Sequence, residues 1–425
     1  MIGSLEFAQF TVKGVAVKNI GRTLAAVLAF GLLALGCRED AESPTSPSPA
    51  PALATAAGAL SFTQVSVGGG PTGGGHSCGI TTDDRAYCWG DNEHGQLGNG
   101  TNSGPEDCNG RTCSIRPVAV LGGLRFDHVS AGGNHSCGVT TDNRVFCWGY
   151  NPNGALGDGT TTMRLTPVAV AGGHHFRQVR AGNGHTCAIT PLDVAFCWGY
   201  NAKGQLGDGT TTRRLTPVRV AGGHSWRQLS GAAGHTCGVT TDDRPYCWGN
   251  NSDGQLGDGT TTDRLKPVTV SGTLLFQQID AGFHHTCAVR TTDDRAYCWG
   301  LNQDGALGDG TTTRRLRPVA VLGTRHFDQV DAGGNHTCGV TLAGRGFCWG
   351  VNLVGQLGDG TTTRRLKPTA LGVDLSLAEV STGYGSSCGV ATDHRAYCWG
   401  HNYLGQLGDG TNDPHLLPVP VAAPM

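Results

Sequence analysis

The tripeptide Cys-Trp-Gly occurs seven times in this chain, beginning at Cys88, Cys147, Cys197, Cys247, Cys298, Cys348 and Cys398, at intervals of 59, 50, 50, 51, 50 and 50 residues. A fixed period near fifty means an array whose units are single supersecondary elements, each burying its apolar face only against its neighbours. The units are rich in Gly, Val, Thr and aromatic residues and lack helical periodicity, so each reads as a small β-sheet. Seven such sheets set radially close into a ring that leaves only short strand edges. The expected fold is all-β, a seven-bladed β-propeller of four-stranded antiparallel blades.

The second unit shows how each sheet is encoded. Phe126–Ala131, Ser136–Thr140 and Val145–Trp148 read as three strands, and a Gly-rich loop from Asn151 to Thr160 leads to a fourth at Pro167–Val170. Proline at the start of the fourth strand suits an outer edge. Thr141-Asp142-Asn143 reads as a three-residue hairpin loop with Asn143 in the left-handed conformation that Asn and Asp tolerate. Cys137 then lies opposite Cys147, on a non-hydrogen-bonded pair close enough for a disulfide. The same spacing predicts Cys78–Cys88, Cys187–Cys197, Cys237–Cys247, Cys338–Cys348 and Cys388–Cys398, with Cys287–Cys298 one residue longer. Unit one carries an insertion, Asn102 to Gly110, read as stapled by Cys108–Cys113. Metal ligation is the competing use of His-x-Cys, but each unit offers two thiolates and one His, and an exported chain sees an oxidising compartment.

Export is read from the start of the chain. Lys13, Lys18 and Arg22 form a basic region, Leu24–Leu35 an apolar one, and Leu33-Ala34-Leu35-Gly36-Cys37 resembles a bacterial lipobox. Cys37 is the odd cysteine among 17 and the expected lipidation site. Residues 1–36 are thus a signal peptide, 37–60 a lipidated Cys followed by a Pro/Ser/Ala-rich tether, and 61–425 the ring. Loss of the leader leaves a chain about four charges negative, which does not favour nucleic acid.

The repeat resembles the regulator-of-chromosome-condensation family. The residues that carry the likeness are Gly132-Gly133-Asn134-His135-Ser136 and Trp198-Gly199-Tyr200-Asn201 followed by Gly204-Gln205-Leu206-Gly207, with their copies from Phe62 to Val421. The resemblance implies a seven-bladed propeller, and the cysteine pairs mark an exported bacterial lipoprotein form of it. The prototype's guanine-nucleotide exchange is not expected here, because an exported chain meets no cytosolic GTPase. A secreted relative that inhibits β-lactamases implies that such a ring can serve as a recognition face.

Within the repeat, His76, His135, His185, His235, His285 and His336, with Ser386 in seventh place, read as packing residues under a Gly-rich turn. Asp158, Asp208, Asp258, Asp309, Asp359 and Asp409 read as turn formers, having too few carboxylates per loop for calcium. The Arg213-Arg214, Arg314-Arg315 and Arg364-Arg365 pairs read as a solvated perimeter. No repeat gains a carboxylate or nucleophile at its core, so no catalytic residue, metal or cofactor is expected and the chain is not read as an enzyme. The free positions after Trp-Gly and beside the fixed Asn place Tyr150, Tyr200, Leu301, Val351, Leu353, Val354, His401, Tyr403 and Leu404 on one end of the ring. These are the candidate partner-binding residues.

The resulting expectation is a monomeric, lipid-anchored scaffold in the cell envelope, touching the membrane through its anchor and binding a protein. Inhibition of an extracellular enzyme and carbohydrate or cell-wall binding are the alternatives, with a propeller enzyme behind them. The terminal segment 418–421 is expected to pair within the first blade and lock the ring.

Overall fold

A computed structural model describes residues 58, 60–70, 74–104, 106–108 and 110–425. The leader, Cys37 and nearly all of the tether lie outside the described residues. The ring consists of seven sheets, each with its four strands hydrogen-bonded in chain order. In blade two these are Phe126–Ala131, His135–Thr140, Val145–Gly149 and Arg164–Ala169. The first strands of successive blades touch one another around the axis, and the fourth strands form the rim. Pro167, Pro217 and Pro267 lie in those rim strands, where a missing N–H costs no ladder bond.

The hairpin between the second and third strands follows its turn chemistry. Asp84, Asn143, Asp193, Asp243 and His394 take φ of 61–67°, and Asp294, in the longer loop of blade five, takes 53°. Thr140 then faces Arg144, its N–H donating to the Arg144 carbonyl at 2.8 Å, and Cys137 pairs with Cys147. The seven hairpin disulfides have Cα separations of 4.0–4.1 Å, the close approach of a non-hydrogen-bonded pair. An eighth, Cys108–Cys113, staples a short hairpin, Glu106–Cys108 against Arg111–Ala119, onto blade one.

The core is divided among the seams between blades. Between blades four and five, Cys237, Val239, Cys247 and Leu256 meet Phe276, Ile279, Ala288 and Trp299 from the next unit. Each Cys-Trp-Gly tryptophan is fully buried, and its indole N–H donates to a carbonyl in the preceding blade, as Trp248 does to Gln205 at 2.9 Å. That carbonyl sits in a Gly-Gln-Leu-Gly turn. Gly207 there has φ of 68°, and a Cβ on it would lie 2.7 Å from the Trp248 indole nitrogen, so glycine alone suits the turn and the contact.

Ring closure departs from expectation. Residues 418–421 pair not with the first blade but with the third strand of their own, Cys398 opposite Val419 and Tyr397 opposite Pro420. Every unit supplies all four of its strands, because the Gly-rich loop returns the chain to the strand it has just left. No strand is therefore missing at the start. The first blade closes against the seventh by side-chain contact instead. Phe62, Val65 and Val67 pack on Val390, Cys398 and Val421, and the Trp89 indole donates to Gln406 O at 3.0 Å.

If the indole bond holds each seam, Trp248→Phe should lower stability by about 1–2 kcal/mol beyond any packing change, because a buried acceptor loses a donor. Denaturant unfolding with the disulfides intact measures this. An unchanged midpoint would show that the seam does not depend on that bond.

Candidate functional site

Because the strands alternate in direction, the loop joining strands one and two and the loop following strand three emerge on the same end of the ring. The chain enters at the opposite end, where Phe62 starts the first strand. On the loop end Leu353 is 78% exposed, Tyr403 is half exposed, and Val351, Val354 and His401 are half-buried. Val351, Leu353, Val354 and His401 line one cavity of about 310 Å³ together with Tyr384 and Ser386. His401 and Tyr403, with ring centroids 4.7 Å apart, continue into a second cavity of about 600 Å³ bounded by Arg111, Asn412 and Asp413. These two hollows share His401, so blades six and seven and the stapled insertion present one surface. Burial holds the His401 imidazole below its usual pKa, so it is neutral at physiological pH.

Leu404 is buried against Cys108, Cys113 and Ile115, where it anchors the insertion and forms part of the wall of the second cavity instead of an exposed rim. Tyr150 stacks on His94 at 4.3 Å, and Tyr200 and Leu301 lie on blades three and five; none of the three lines these cavities. The residue that sequence reasoning missed is Tyr384, in the loop before the second strand. Its ring meets Phe283 edge-on at 5.2 Å. The clue was the variable pair in Gly-x-x-His, which holds Phe283 in one unit and Tyr384 in another.

The expectation that no unit carries an unusual charge at its core is also overturned. Every second residue of the first strand faces the axis. There the repeat places Gln64, His128, Gln178, Gln228, Gln278, Gln329 and Glu379 in one tier, and Ser66, Ser130, Arg180, Ser230, Asp280, Asp331 and Ser381 in the next. Residues of both tiers line a cavity of about 180 Å³. Most of these side chains bind the following blade's backbone. Ser130 accepts from Ala181 N–H at 3.0 Å, Asp280 from Ala332 at 2.8 Å, and Asp331 from Thr382 at 2.7 Å. Burial raises the pKa of Asp280 well above the usual range, helped by the charge of Asp331, and burial raises that of Asp331 too. Arg180, lowered by burial, is the cation these acids face across the channel. His128 is held well below its usual pKa by burial and by Arg180.

The histidine series forms a relay between blades. His185 Nε2 lies 2.9 Å from Thr236 Oγ1, whose hydroxyl donates to Gln205 O at 2.9 Å. The hydroxyl proton being committed there, Nε2 must carry the imidazole proton, and Nδ1 is left bare and buried. Burial lowers His76, His135, His235 and His285 to about 3 and His185 and His336 to about 4.

The Arg pairs are not merely solvated. The second Arg of each is tied to the Gly-Asp-Gly-Thr aspartate, as Arg214 is to Asp208 at 2.7 Å, while the first reaches back a blade, Arg213 to Pro152 O at 3.1 Å. The same aspartate accepts from Thr210 and from Asn201 Nδ2 at 3.2 Å, so its oxygens are engaged by protein donors.

With this geometry in view, comparison with known proteins assigns the class. The RCC1-like domain model matches residues 29–337 and 103–425, and the chain belongs to that family. Over 82 residues it is 40% identical to the human probable E3 ubiquitin-protein ligase HERC4, a stretch that spans 19% of this chain and 7% of the ligase. The structure of human WBSCR16 superposes with a TM-score of 0.72 at 20% identity, covering 80% of this chain and 95% of that one. Prp20p of Saccharomyces cerevisiae, a protein studied for its binding to Gsp1p and histones, superposes with a TM-score of 0.69 at 22% identity, covering 81% and 87%. At these identities the structural likeness shows the fold. The eight disulfides suggest an extracellular or otherwise oxidising environment. No helix among the described residues is long and apolar enough to cross a membrane.

The relay predicts an acid-sensitive ring. The histidines titrate lower in the folded than in the unfolded chain, so between about pH 6.5 and pH 3 the unfolded state binds more protons. Their stabilisation is complete above pH 6.5 and is lost progressively as the pH falls. The thermal midpoint should drop steadily from pH 7 to pH 4, and His235→Gln should flatten that slope. A slope identical in the variant would remove His235 from the account.

Proposed function

We propose that the ring is a protein-binding scaffold, anchored by a lipid on Cys37 outside the cytoplasm, that recognises its partner with the loop end of blades six and seven and the stapled insertion. The observation that carries this reading is the exposed apolar rim of Leu353, Tyr384 and Tyr403, with half-buried Val354, around two adjoining cavities. Exposed apolar groups gathered around a hollow are what a partner's anchor side chains fill. Prp20p, on the same fold, binds proteins, which supports binding as the use of the ring. The channel carboxylates support a structural role over catalysis, being occupied by backbone N–H groups of the next blade. We read the protein as a monomeric binder and not an enzyme.

The test is partner capture from the cell envelope by cross-linking, comparing wild type with Leu353→Asp and Tyr403→Asp. Both variants should lose capture at least tenfold with melting nearly unchanged, since a carboxylate is cheap in water and costly when covered. Arg364→Ala, an exposed charge on the rim, should bind normally. Normal capture by the aspartate variants would overturn the assignment of this face.

A further inference from the structure

We infer that the seam between blades seven and one is a pH-responsive closure, in which the Glu379 carboxyl must be protonated to make the two hydrogen bonds that Gln64, Gln278 and Gln329 make at their seams, Gln178 and Gln228 making the acceptor bond alone. Gln64 bridges to blade two with both ends of its amide, Nε2 donating to Val129 O and Oε1 accepting from Val129 N–H, each at 2.9 Å. Gln278 does the same with Val330, at 2.7 and 3.2 Å, and Gln329 with Val380, at 2.9 and 3.1 Å. Each amide thus completes the edge of the neighbouring first strand.

Glu379 takes the equivalent place where the end of the chain meets its beginning. Its Oε1 accepts from Val65 N–H at 2.5 Å. The second bond at this seam requires a donor toward the Val65 carbonyl. A neutral carboxyl has one, its O–H, and a carboxylate has none. Ionisation therefore leaves one bond and sets an anionic oxygen where the Gln64, Gln278 and Gln329 seams place an amide N–H. Among the described residues no strand is shared across this seam, because blade seven keeps its own fourth strand.

The surroundings favour the neutral form. Burial raises the Glu379 pKa to about 7, opposed first by the Val65 N–H bond, aided by the charge of Asp331 on the adjacent first strand and opposed again by Arg180 across the channel. The other strands packed on it, Phe62–Val67 of blade one and Ser386–Ala391 of its own blade, contain no titratable side chain apart from the disulfide-bonded Cys388. On the remaining neighbour, His336–Thr341, the His336 ring is committed to Ser387.

The sign follows from proton uptake. A carboxyl that titrates higher in the folded chain binds its proton more tightly there, so its stabilisation is full at low pH and is lost as the pH rises toward 7. The histidine relay is common to both proteins, so their comparison removes it and leaves Glu379 together with its coupling to Asp331.

The experiment compares wild type with Glu379→Gln, the residue other seams use, from pH 5 to pH 9 with disulfides intact. The unfolding equilibria of the two should be similar near pH 5. Above neutrality the glutamine variant should be favoured, by up to roughly two orders of magnitude in that equilibrium. Carboxyl infrared difference spectroscopy supplies a local readout. A protonated-carboxyl band present in wild type and absent from the variant should be lost between pH 6 and pH 8.5. A stability difference that does not change with pH, or no such band distinguishing wild type from the variant at pH 6, would overturn the inference.

Discussion

The carbonyl before leucine in each Gly-x-Leu-Gly turn takes two hydrogen bonds from the following blade, one from a tryptophan indole and one from a Ser or Thr hydroxyl. Gln205 O receives Trp248 at 2.9 Å and Thr236 at 2.9 Å, and Gln255, Ala306, Gln356 and Gln406 repeat the arrangement. Both lone pairs of one buried acceptor are thereby satisfied from outside its own sheet. A blade cannot complete this network alone. The tryptophan has no polar partner without the preceding unit, and the turn carbonyl has none without the following one. Fifty residues per unit and the invariance of Trp-Gly express that constraint, and the side chain at the acceptor residue is free to be Gln or Ala because only its carbonyl is used.

The hydroxyl that feeds this carbonyl is itself fed by a histidine one blade back, so the relay runs through three groups in two blades. Its cost is visible in the imidazoles, which are held neutral by burial, with Nδ1 bare in His76, His185, His235 and His336. Blade seven breaks the series with Ser386, and the cavity framed by Val351, Tyr384 and His401 lies there. A serine in place of an imidazole leaves room at the seam where the apolar rim is also concentrated. Loss of a packing residue and gain of exposed apolar residues thus coincide on one segment of the ring, which is the physical basis for placing recognition there.

How much of this was legible in the sequence depended on whether a feature recurs. The blades, the hairpin turn at Asn143, the cysteine register and the outer proline all follow from local rules repeated in every unit. Features that rest on contacts between units were harder to read. Leu404 has the same place in its repeat as Val354, yet the insertion covers one and not the other, and no local pattern reports that Cys108 and Cys113 fold over it. The solvated reading of the Arg pairs holds for the exposed first Arg of each and was incomplete for a similar reason. Arg214 reaches an aspartate six residues earlier and Arg213 a carbonyl in the preceding blade, and spacing alone does not separate those fates from exposure. Closure was misread because an apparent surplus strand at the end was matched with an apparent deficit at the beginning, when each unit already held four.

The channel shows where variation within a repeat carries most information. An axis-facing position is seen by all seven blades at once, so one change there alters the field for every other. Arg180 replaces a serine that elsewhere accepts the next blade's N–H, and it gives up that bond while supplying the cation that Asp280, Asp331 and Glu379 face. Asp280 and Asp331 keep the acceptor role, because a carboxylate oxygen serves a backbone N–H as well as a hydroxyl does. Glu379 differs in kind, since an amide both donates and accepts and a carboxylate only accepts. The same class of substitution, neutral to acidic, is therefore neutral for hydrogen bonding in one tier of the channel and disruptive in the other. What decides between them is whether the neighbouring blade asks for an acceptor alone or for an acceptor and a donor together.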